Sequence, residues 1–399
     1  MSSPALPIPA HRNAMTVFAA ITLITIFAGS AAPTPLYRVY QDMWGLPPVV
    51  LTIIFAVYAF SLLISLLTVG SLSDYVGRRP VIFVALLVSA LTMVLFATAD
   101  SAWSLIAARV VQGIATGAAT GTLGATILDA DRRHGPLVNS VTPLLGMGFG
   151  ALGSSILVAY APAPTHLGYL ILLVAFLAEA GLIWTMPETT RGRPGALASL
   201  RPHIAIPPQV RQAMLLVTPG NIAGWALGGF YLSLMPSLLR VVTGDTSPLI
   251  GGIVVATLTV AGAGAIFTFR NWPGIRILPI GTAALAMGVA VTLIGVSLQR
   301  VELLLVGTVI AGFGLGSAFF GASRTILPLA GPDERAGLLA AFYAQSYLAF
   351  SLPAIIVGFM AHSLGLPRST YIYGTAIILL AVTSFAASVT SGRRARSLG

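Results

Sequence analysis

Gly70-Ser71-Leu72-Ser73-Asp74-Tyr75-Val76-Gly77-Arg78-Arg79-Pro80 is a short polar turn between two apolar runs, residues 48–69 and 81–99. Each part of it has a physical reading. Gly70 lets two helices approach closely. Gly77 permits a tight turn, and Pro80 starts the next helix. Asp74 ends the preceding run with a carboxylate, and Arg78 and Arg79 suit pairing with acids or lipid phosphates. The flanking runs are each long enough to cross a hydrocarbon layer about 30 Å thick, which takes roughly 20 residues of helix.

Working outward, apolar runs bounded by charges or turn residues predict twelve helices, at about 15–38, 48–69, 81–99, 103–128, 137–160, 167–186, 212–239, 248–268, 277–298, 302–328, 338–362 and 370–390. These are spans 1 to 12. The runs are continuous rather than alternating, unlike the strands of an outer-membrane barrel. The first is too long for a signal-peptide core and has no small-residue cleavage site, so it reads as a retained helix. The chain is therefore expected to be an all-α polytopic membrane protein.

Composition agrees. Of 399 residues, 56% are hydrophobic and only 8% charged, against about 25% charged in a soluble domain. A soluble chain cannot hide that much apolar surface, so a cytosolic globular enzyme and a disordered protein are both excluded. Cysteine is absent, which removes disulfides, thiolate metal sites and cysteine nucleophiles. Lysine is absent too, so no P-loop exists and ATP-driven pumping within this chain is excluded. No nucleophile elbow and no His/Asp metal spacing appear. No catalytic residue, metal or cofactor is expected.

The net charge of +10 comes from 21 arginines against 11 acids. They are scattered in short loops without a basic-aromatic module, so they point to topology and anionic lipid rather than to nucleic acid. With the amino terminus inside, Arg12, Arg78, Arg79, Arg132, Arg133, Arg191, Arg193, Arg201, Arg211, Arg270, Arg276, Arg324, Arg335, Arg393, Arg394 and Arg396 fall on the inner side. Arg38, Arg240, Arg300 and Arg368 fall outside. Sixteen to four is a strong positive-inside bias, which predicts both termini in the cytoplasm. A lysine-free chain biased toward arginine and alanine suggests a GC-rich bacterium, hence the inner membrane.

Pro187 to Arg211 is the longest polar connection, rich in Pro, Gly and Arg. It divides the chain into a six-helix bundle at 1–186, a cytoplasmic linker at 187–211 and a second six-helix bundle at 212–399. The halves echo one another. Gly77 and Arg79 match Gly274 and Arg276 at an offset of 197, with Asp74 replaced by Asn271. Asp131, Arg133 and Gly135 match Asp333, Arg335 and Gly337 at an offset of 202. A duplicated six-helix unit places its ligand site between the halves, near the bilayer midplane.

The Gly70–Pro80 stretch resembles the loop 2–3 signature of the major facilitator superfamily. Arg109-Val110-Val111-Gln112-Gly113 is similar to that superfamily's Arg-x-x-Gln-Gly motif in span 4, although a later glycine is Ala115 here. Gly146, Gly148, Gly150 and Gly153 resemble the antiporter glycine motif of span 5, but its proline is replaced by Ala151 and packing is the simpler reading. Met186-Pro187-Glu188-Thr189 is like the Pro-Glu-Thr closing the first half, and Glu188 is a candidate partner for a cytoplasmic arginine. The resemblance implies two pseudo-symmetric six-helix bundles that alternate access around a central site.

It also assigns residues. Gly70, Asp74, Gly77, Arg78 and Arg79 are implied to form a latch when the cytoplasmic side is closed, Asp74 facing the start of span 11; an ordinary positive-inside turn is the plainer reading. Arg109 is implied to be a cavity residue that answers substrate or proton charge; alternatively it snorkels to the outer headgroups. Span 1 carries no acid between Met15 and Arg38, so Glu179, the only acid well inside a span, is the candidate proton carrier beside Arg109. Asp129 reads as a loop-contact residue. Tyr58, Arg109, Gln112, Asn139, Asn221, Trp225, Tyr231, Phe313, Tyr343 and Gln345 are the candidate substrate contacts, being polar or aromatic on cavity helices or span 2; packing is the other reading for each. The expected activity is efflux of a small molecule, a drug or a sugar, in exchange for protons, by a monomer in lipid. Uptake, facilitated diffusion and a non-transporting ligand receptor are the alternatives.

Overall fold

A computed structural model describes residues 9–190, 192–244 and 247–397. Arg191 lies outside them, as do the side chains of Arg12, Arg393, Arg394 and Arg396, all used above to orient the chain. The described residues form helices and turns with no strand. Span 1 is Pro9–Ala31 continued by Pro33–Trp44, span 2 Pro48–Val69, span 3 Arg78–Ala97, span 4 Ala102–Ala130, span 5 Gly135–Tyr160 and span 6 Leu167–Leu182. Span 7 is Arg211–Ser233 continued by Met235–Thr243, span 8 Pro248–Thr268, span 9 Gly274–Ser297, span 10 Val301–Ile326, span 11 Arg335–Leu364 and span 12 Leu366–Ser397. In lipid only such internally bonded backbone is tolerated.

Two differences from the expected boundaries have local causes. Span 1 runs on to Trp44 because Pro33 and Pro35 sit in the first turn of its second segment, where proline's missing N–H costs no helical bond. Gly45 ends it with φ of 62°. The other difference concerns number. Among the described residues, eleven helices are long and apolar enough to cross a membrane, and span 4 is not one of them. It is still helical for 29 residues, opened by a capping box between Ser101 and Ser104. Its sequence is rich in Ala, Gly and Thr and holds Arg109 and Gln112. Sixteen of its 29 residues are buried, so it faces protein more than lipid and needs less hydrophobicity than its neighbours.

One hydrophobic cluster joins spans 1 to 6 through residues such as Leu23, Ile54, Leu62, Leu86, Leu123 and Phe176 and reaches the second half through Leu232, Val255 and Phe350. Others are built from spans 7 to 12, around Leu227, Leu285 and Val357, and around Val217, Leu278 and Phe342. The span 5 glycines serve contact. A Cβ on Gly146 would stand 2.5 Å from the Ile24 carbonyl oxygen of span 1, and one on Gly150 would collide with that of Ala28. Gly148 instead faces Thr259 of span 8.

The two halves meet unevenly. On the arginine-poor face Phe55 packs on Phe350 with ring centres 4.8 Å apart. Gly358 lies against Thr52, and Gly252 against Ser155. At the rim, Arg240 donates to Asp42 at 3.0 Å and Ser237 to Gln41 at 3.2 Å. Toward the arginine-rich face the same helices separate.

Candidate functional site

The separation leaves a cavity of about 540 Å³. Its mouth, at the arginine-rich face, is edged by Gly70 and Asp74 at the end of span 2, Leu128 of span 4 and Ala336 of span 11. Arg201 and His203 of the linker also line it. The linker crosses here between the halves. Arg193 N–H donates to the Tyr75 carbonyl at 2.8 Å, and Ala205 N–H to that of Gly337 at 3.2 Å. Deeper, Asn221 and Trp225 of span 7 face the cavity with Tyr343, Tyr347 and Phe350 of span 11. The spacing of four in the first set, and of four and three in the second, keeps each on one helix face.

Of the candidate contacts, Asn139, Asn221, Trp225 and Tyr343 line this cavity. The others stand behind its wall, for identifiable reasons. Gln345 is turned to Thr218 and Asn221. Tyr231 is hydrogen-bonded to Thr308 at 2.9 Å. Phe313 packs on Phe269. Tyr58, Arg109 and Gln112 are enclosed among spans 1, 2 and 4. Tyr347, Phe319 and Phe350 were missed, although the 343, 347, 350 spacing is a helical stripe.

The Gly70–Pro80 turn is a charge clamp within the first half. Gly77 has φ of 100°, a region that disfavours a side chain. Arg78 is 6% exposed. It contacts Asp74 at 2.5 Å and Asp129 at 3.1 Å, and donates to Ser73 Oγ at 2.6 Å. Asp129 thus has a definite partner. Glu188 takes a different role from the expected ion pair: its carboxylate accepts the backbone N–H groups of Arg78 at 2.9 Å and Arg79 at 3.1 Å. It caps the positive end of span 3. Arg79 donates to the Trp184 carbonyl and lies over its ring. Among the described residues, the Asp74 carboxylate pairs with Arg78 and makes no polar contact with span 11.

Arg109 is 1% exposed and does not reach the headgroups. It donates to the Tyr37 hydroxyl, to the Ser30 carbonyl at 2.9 Å and to Gln112 Oε1 at 2.5 Å. The rings of Tyr37, Tyr58 and Phe96 surround its guanidinium at 5.2–5.6 Å. No carboxylate pairs with it among the described residues. Gln112 completes the nest by donating to the Gly29 carbonyl at 2.9 Å.

Glu179 lies on span 6, outside the cavity wall, and is 8% exposed. Thr25 of span 1 donates to its Oε1 at 2.7 Å, while Oε2 has no partner. Arg109 and Glu179 therefore both grip span 1, but at separate places. Among the described residues no group of His, Cys, Asp or Glu is placed to hold a metal.

Long helices around a cavity open to one face define a polytopic membrane protein of the transporter class. The model of the Major Facilitator Superfamily matches residues 17–296, and the chain belongs to this superfamily. It is 33% identical over 164 residues to the class C tetracycline resistance protein of Escherichia coli, covering 38% of this chain and 39% of that one. It is 29% identical over 152 residues to the inner membrane transport protein YajR of E. coli K12, covering 37% and 32%. The chain thus spans under half the length of these curated relatives. A bacterial homologue of the human lysosomal transporter Spinster, solved inward-facing and unoccupied, has a similar fold, with TM-score 0.73 at 13% identity over 98% of each chain.

Proposed function

We propose that this chain is a proton-coupled exporter of a small organic molecule, acting as a monomer in a bacterial inner membrane by alternating access between its two halves. The arginine-rich face is cytoplasmic by the positive-inside rule. The observation that carries the reading is the cavity of about 540 Å³, edged at that face by Gly70, Asp74, Arg201 and His203, while Asp42–Arg240 and Phe55–Phe350 join the halves opposite. This arrangement loads from the cytoplasm. Release outside needs the Asp42–Arg240 rim to part and the Asp74 end of span 2 to close on the start of span 11, whose helix dipole favours a carboxylate there.

Glu179 is the proton carrier in this reading. A carboxylate at membrane depth with one orphan oxygen and no cation partner among the described residues is costly when charged. Its bond to Thr25 ties its protonation to the position of span 1. Arg109, also anchored on span 1, supplies the fixed charge. The test is flux in proteoliposomes under an imposed pH gradient. A gradient that drives substrate movement in wild type, and not in Glu179→Gln, is the expected result; equal responses would remove Glu179 from the mechanism. The similarity to a tetracycline resistance protein supports export.

A further inference from the structure

Resting on the transport reading, we propose that the cavity is a site for an uncharged, aromatic, amphipathic molecule carrying a hydrogen-bond donor, which binds to Asn221 Oδ1 and the aromatic stripe of spans 7 and 11. Charge is the first discriminator. Asp74, Arg201 and His203 are the ionisable side chains near the cavity with charges to offer, and all three sit at its mouth. Asp74 is already held by Arg78 at 2.5 Å. The deeper wall offers a ligand anion no counter-charge, and a ligand cation only the faces of its aromatic rings, which offset less of the desolvation penalty than a carboxylate does.

Hydrogen-bonding capacity is the second. Ser140 and Thr259 line the cavity but donate to carbonyls of their own helices, at 2.8 and 3.1 Å. A polyol's hydroxyls would outnumber the polar groups of a lining that is mostly apolar. Free polar groups remain on both walls: Thr120 Oγ1 has no partner on the first half's side among the described residues. No partner bonds the Trp225 N–H or the Tyr343 and Tyr347 hydroxyls among the described residues, and all three side chains line the cavity. Trp225 packs edge-on against Phe319, Tyr347 and Phe350, at 5.0–5.7 Å between ring centres. The facing wall carries Phe27, Leu66 and Met147, with Asn139 and Thr120 as its polar side chains.

The direction of the key hydrogen bond follows from a relay. Thr218 donates its hydroxyl to the Met214 carbonyl at 2.7 Å, so it accepts from Gln345 Nε2 at 2.8 Å. Gln345 Oε1 is thereby left to accept from Asn221 Nδ2 at 3.2 Å, and Ser346 Oγ accepts from the same nitrogen at 2.9 Å. Asn221 Oδ1 is then an acceptor without a donor, on a residue only 1% exposed. An orphan acceptor on a cavity residue calls for a ligand donor. The cavity volume is that of a drug-sized site.

Binding to the purified, detergent-solubilised chain tests the ligand class without any gradient, so it is judged separately from proton coupling. The probes are chloramphenicol (neutral, aromatic, with O–H and N–H donors), ethidium (aromatic, permanently cationic) and glucose (a neutral polyol), read by quenching of tryptophan fluorescence and by equilibrium dialysis. Chloramphenicol is expected to bind at least tenfold more tightly than the other two. Asn221→Leu should weaken it about tenfold in protein that still unfolds cooperatively, at a somewhat lower melting temperature because its bonds to Gln345 and Ser346 are lost, and Asn221→Asp should turn the preference toward ethidium. Ethidium or glucose binding within threefold of chloramphenicol would overturn the inference. So would absence of chloramphenicol binding to folded protein, or unchanged affinity in both Asn221 variants. Binding without pH-driven flux would instead count against the transport reading alone.

Discussion

The two halves of this chain solve the same packing problems with different chemistry. Where span 4 meets span 1 in the first half, a buried guanidinium, Arg109, holds the Tyr37 hydroxyl. Where span 10 meets span 7 in the second, a neutral pair does the corresponding work, Thr308 with Tyr231 at 2.9 Å. The turn after span 2 is clamped by Arg78 between two carboxylates. The turn after span 8 has Asn271 in place of Asp74, and Arg324 reaches it by donating to the carbonyls of Arg270 and Trp272, each at 2.7 Å. Glu179 has no acidic counterpart within span 12. The first half thus concentrates the buried charged groups, Arg109 and Glu179 among them, and the second supplies most of the aromatic wall of the cavity. A rocking-bundle carrier divided this way would sense protons with one bundle and grip its ligand with the other.

The largest expected break of that division is at Arg109. Arg109→Ala removes several hydrogen bonds made by a charged group, each worth about 1.5–3 kcal/mol; loss of one in the transport transition already slows flux on the order of tenfold to a hundredfold. Arg109→Lys should fail to rescue, because a single ammonium cannot reach Tyr37, Ser30 and Gln112 as a planar fork does. Initial flux rates check both. The mirror experiment, Tyr231→Phe, should cost about 1 kcal/mol of stability and leave flux nearly intact. If Tyr231→Phe is as damaging as Arg109→Ala, the asymmetry between the halves is only structural.

Glu179→Gln comes next. It should abolish the response to a pH gradient while sparing substrate exchange across the membrane without a gradient, since the amide keeps its bond to Thr25. Counterflow measured beside gradient-driven flux separates these outcomes. A variant that loses both would place Glu179 in folding rather than coupling.

Most of this architecture was legible in the sequence because lipid imposes long continuous apolar runs, and their number and order follow by counting. Span 4 is instructive: its Arg109, Gln112 and many Thr and Gly residues lower its hydropathy, and the same residues mark it as surrounded by protein. The turn at Gly70–Pro80 was legible as a motif, but its partners were not, because Asp129 and Glu188 are distant in sequence and approach only after spans 4 and 6 are packed. The cavity wall was half legible. Asn221 and Trp225 stand out as polar or aromatic on an apolar helix, whereas whether Gln345 faces the cavity or Thr218 depends on helix rotation, which a single sequence does not specify.

The turn clamps sharpen the comparison at a smaller scale. Arg78→Ala should lower stability by about 1–2 kcal/mol, a value discounted because Asp74 and Asp129 remain about 40% exposed. Arg324→Ala breaks bonds to backbone carbonyls rather than ion pairs and should cost roughly 1 kcal/mol. Salt distinguishes them: the Arg78 contribution should shrink between low and high ionic strength because its partners are charged, while that of Arg324 should change less. Thermal unfolding in detergent at two salt concentrations reads both. Equal salt dependence would mean that both clamps act through packing.

The smallest effect is expected at the turn between spans 4 and 5, where Asp131 holds the chain by accepting the backbone N–H groups of His134 and Arg133, both at 2.9 Å, and the His134 ring at 3.0 Å. The His134 backbone N–H, with the His134 ring and the Arg133 N–H assisting, holds the Asp131 carboxyl below the usual carboxylate range. A group whose acidity is strengthened by folding stabilises the folded state above its unfolded pKa, about 3.9, and that contribution disappears as pH falls through the lower folded value. Asp131→Asn should therefore cost a few tenths of a kcal/mol, roughly the worth of an exposed charge contact, at pH 7 and nothing at the acid end. In the second half the corresponding turn is tied by Glu334, which accepts the Gly331 N–H at 2.9 Å and the linker's Gln209 at 2.7 Å. Glu334→Gln should loosen the linker from span 11, visible as faster protease cleavage within residues 192–210, whereas Asp131→Asn should leave that cleavage unchanged. The contrast follows from what each carboxylate holds: Asp131 binds only its own turn, while Glu334 also fastens the segment that joins the halves.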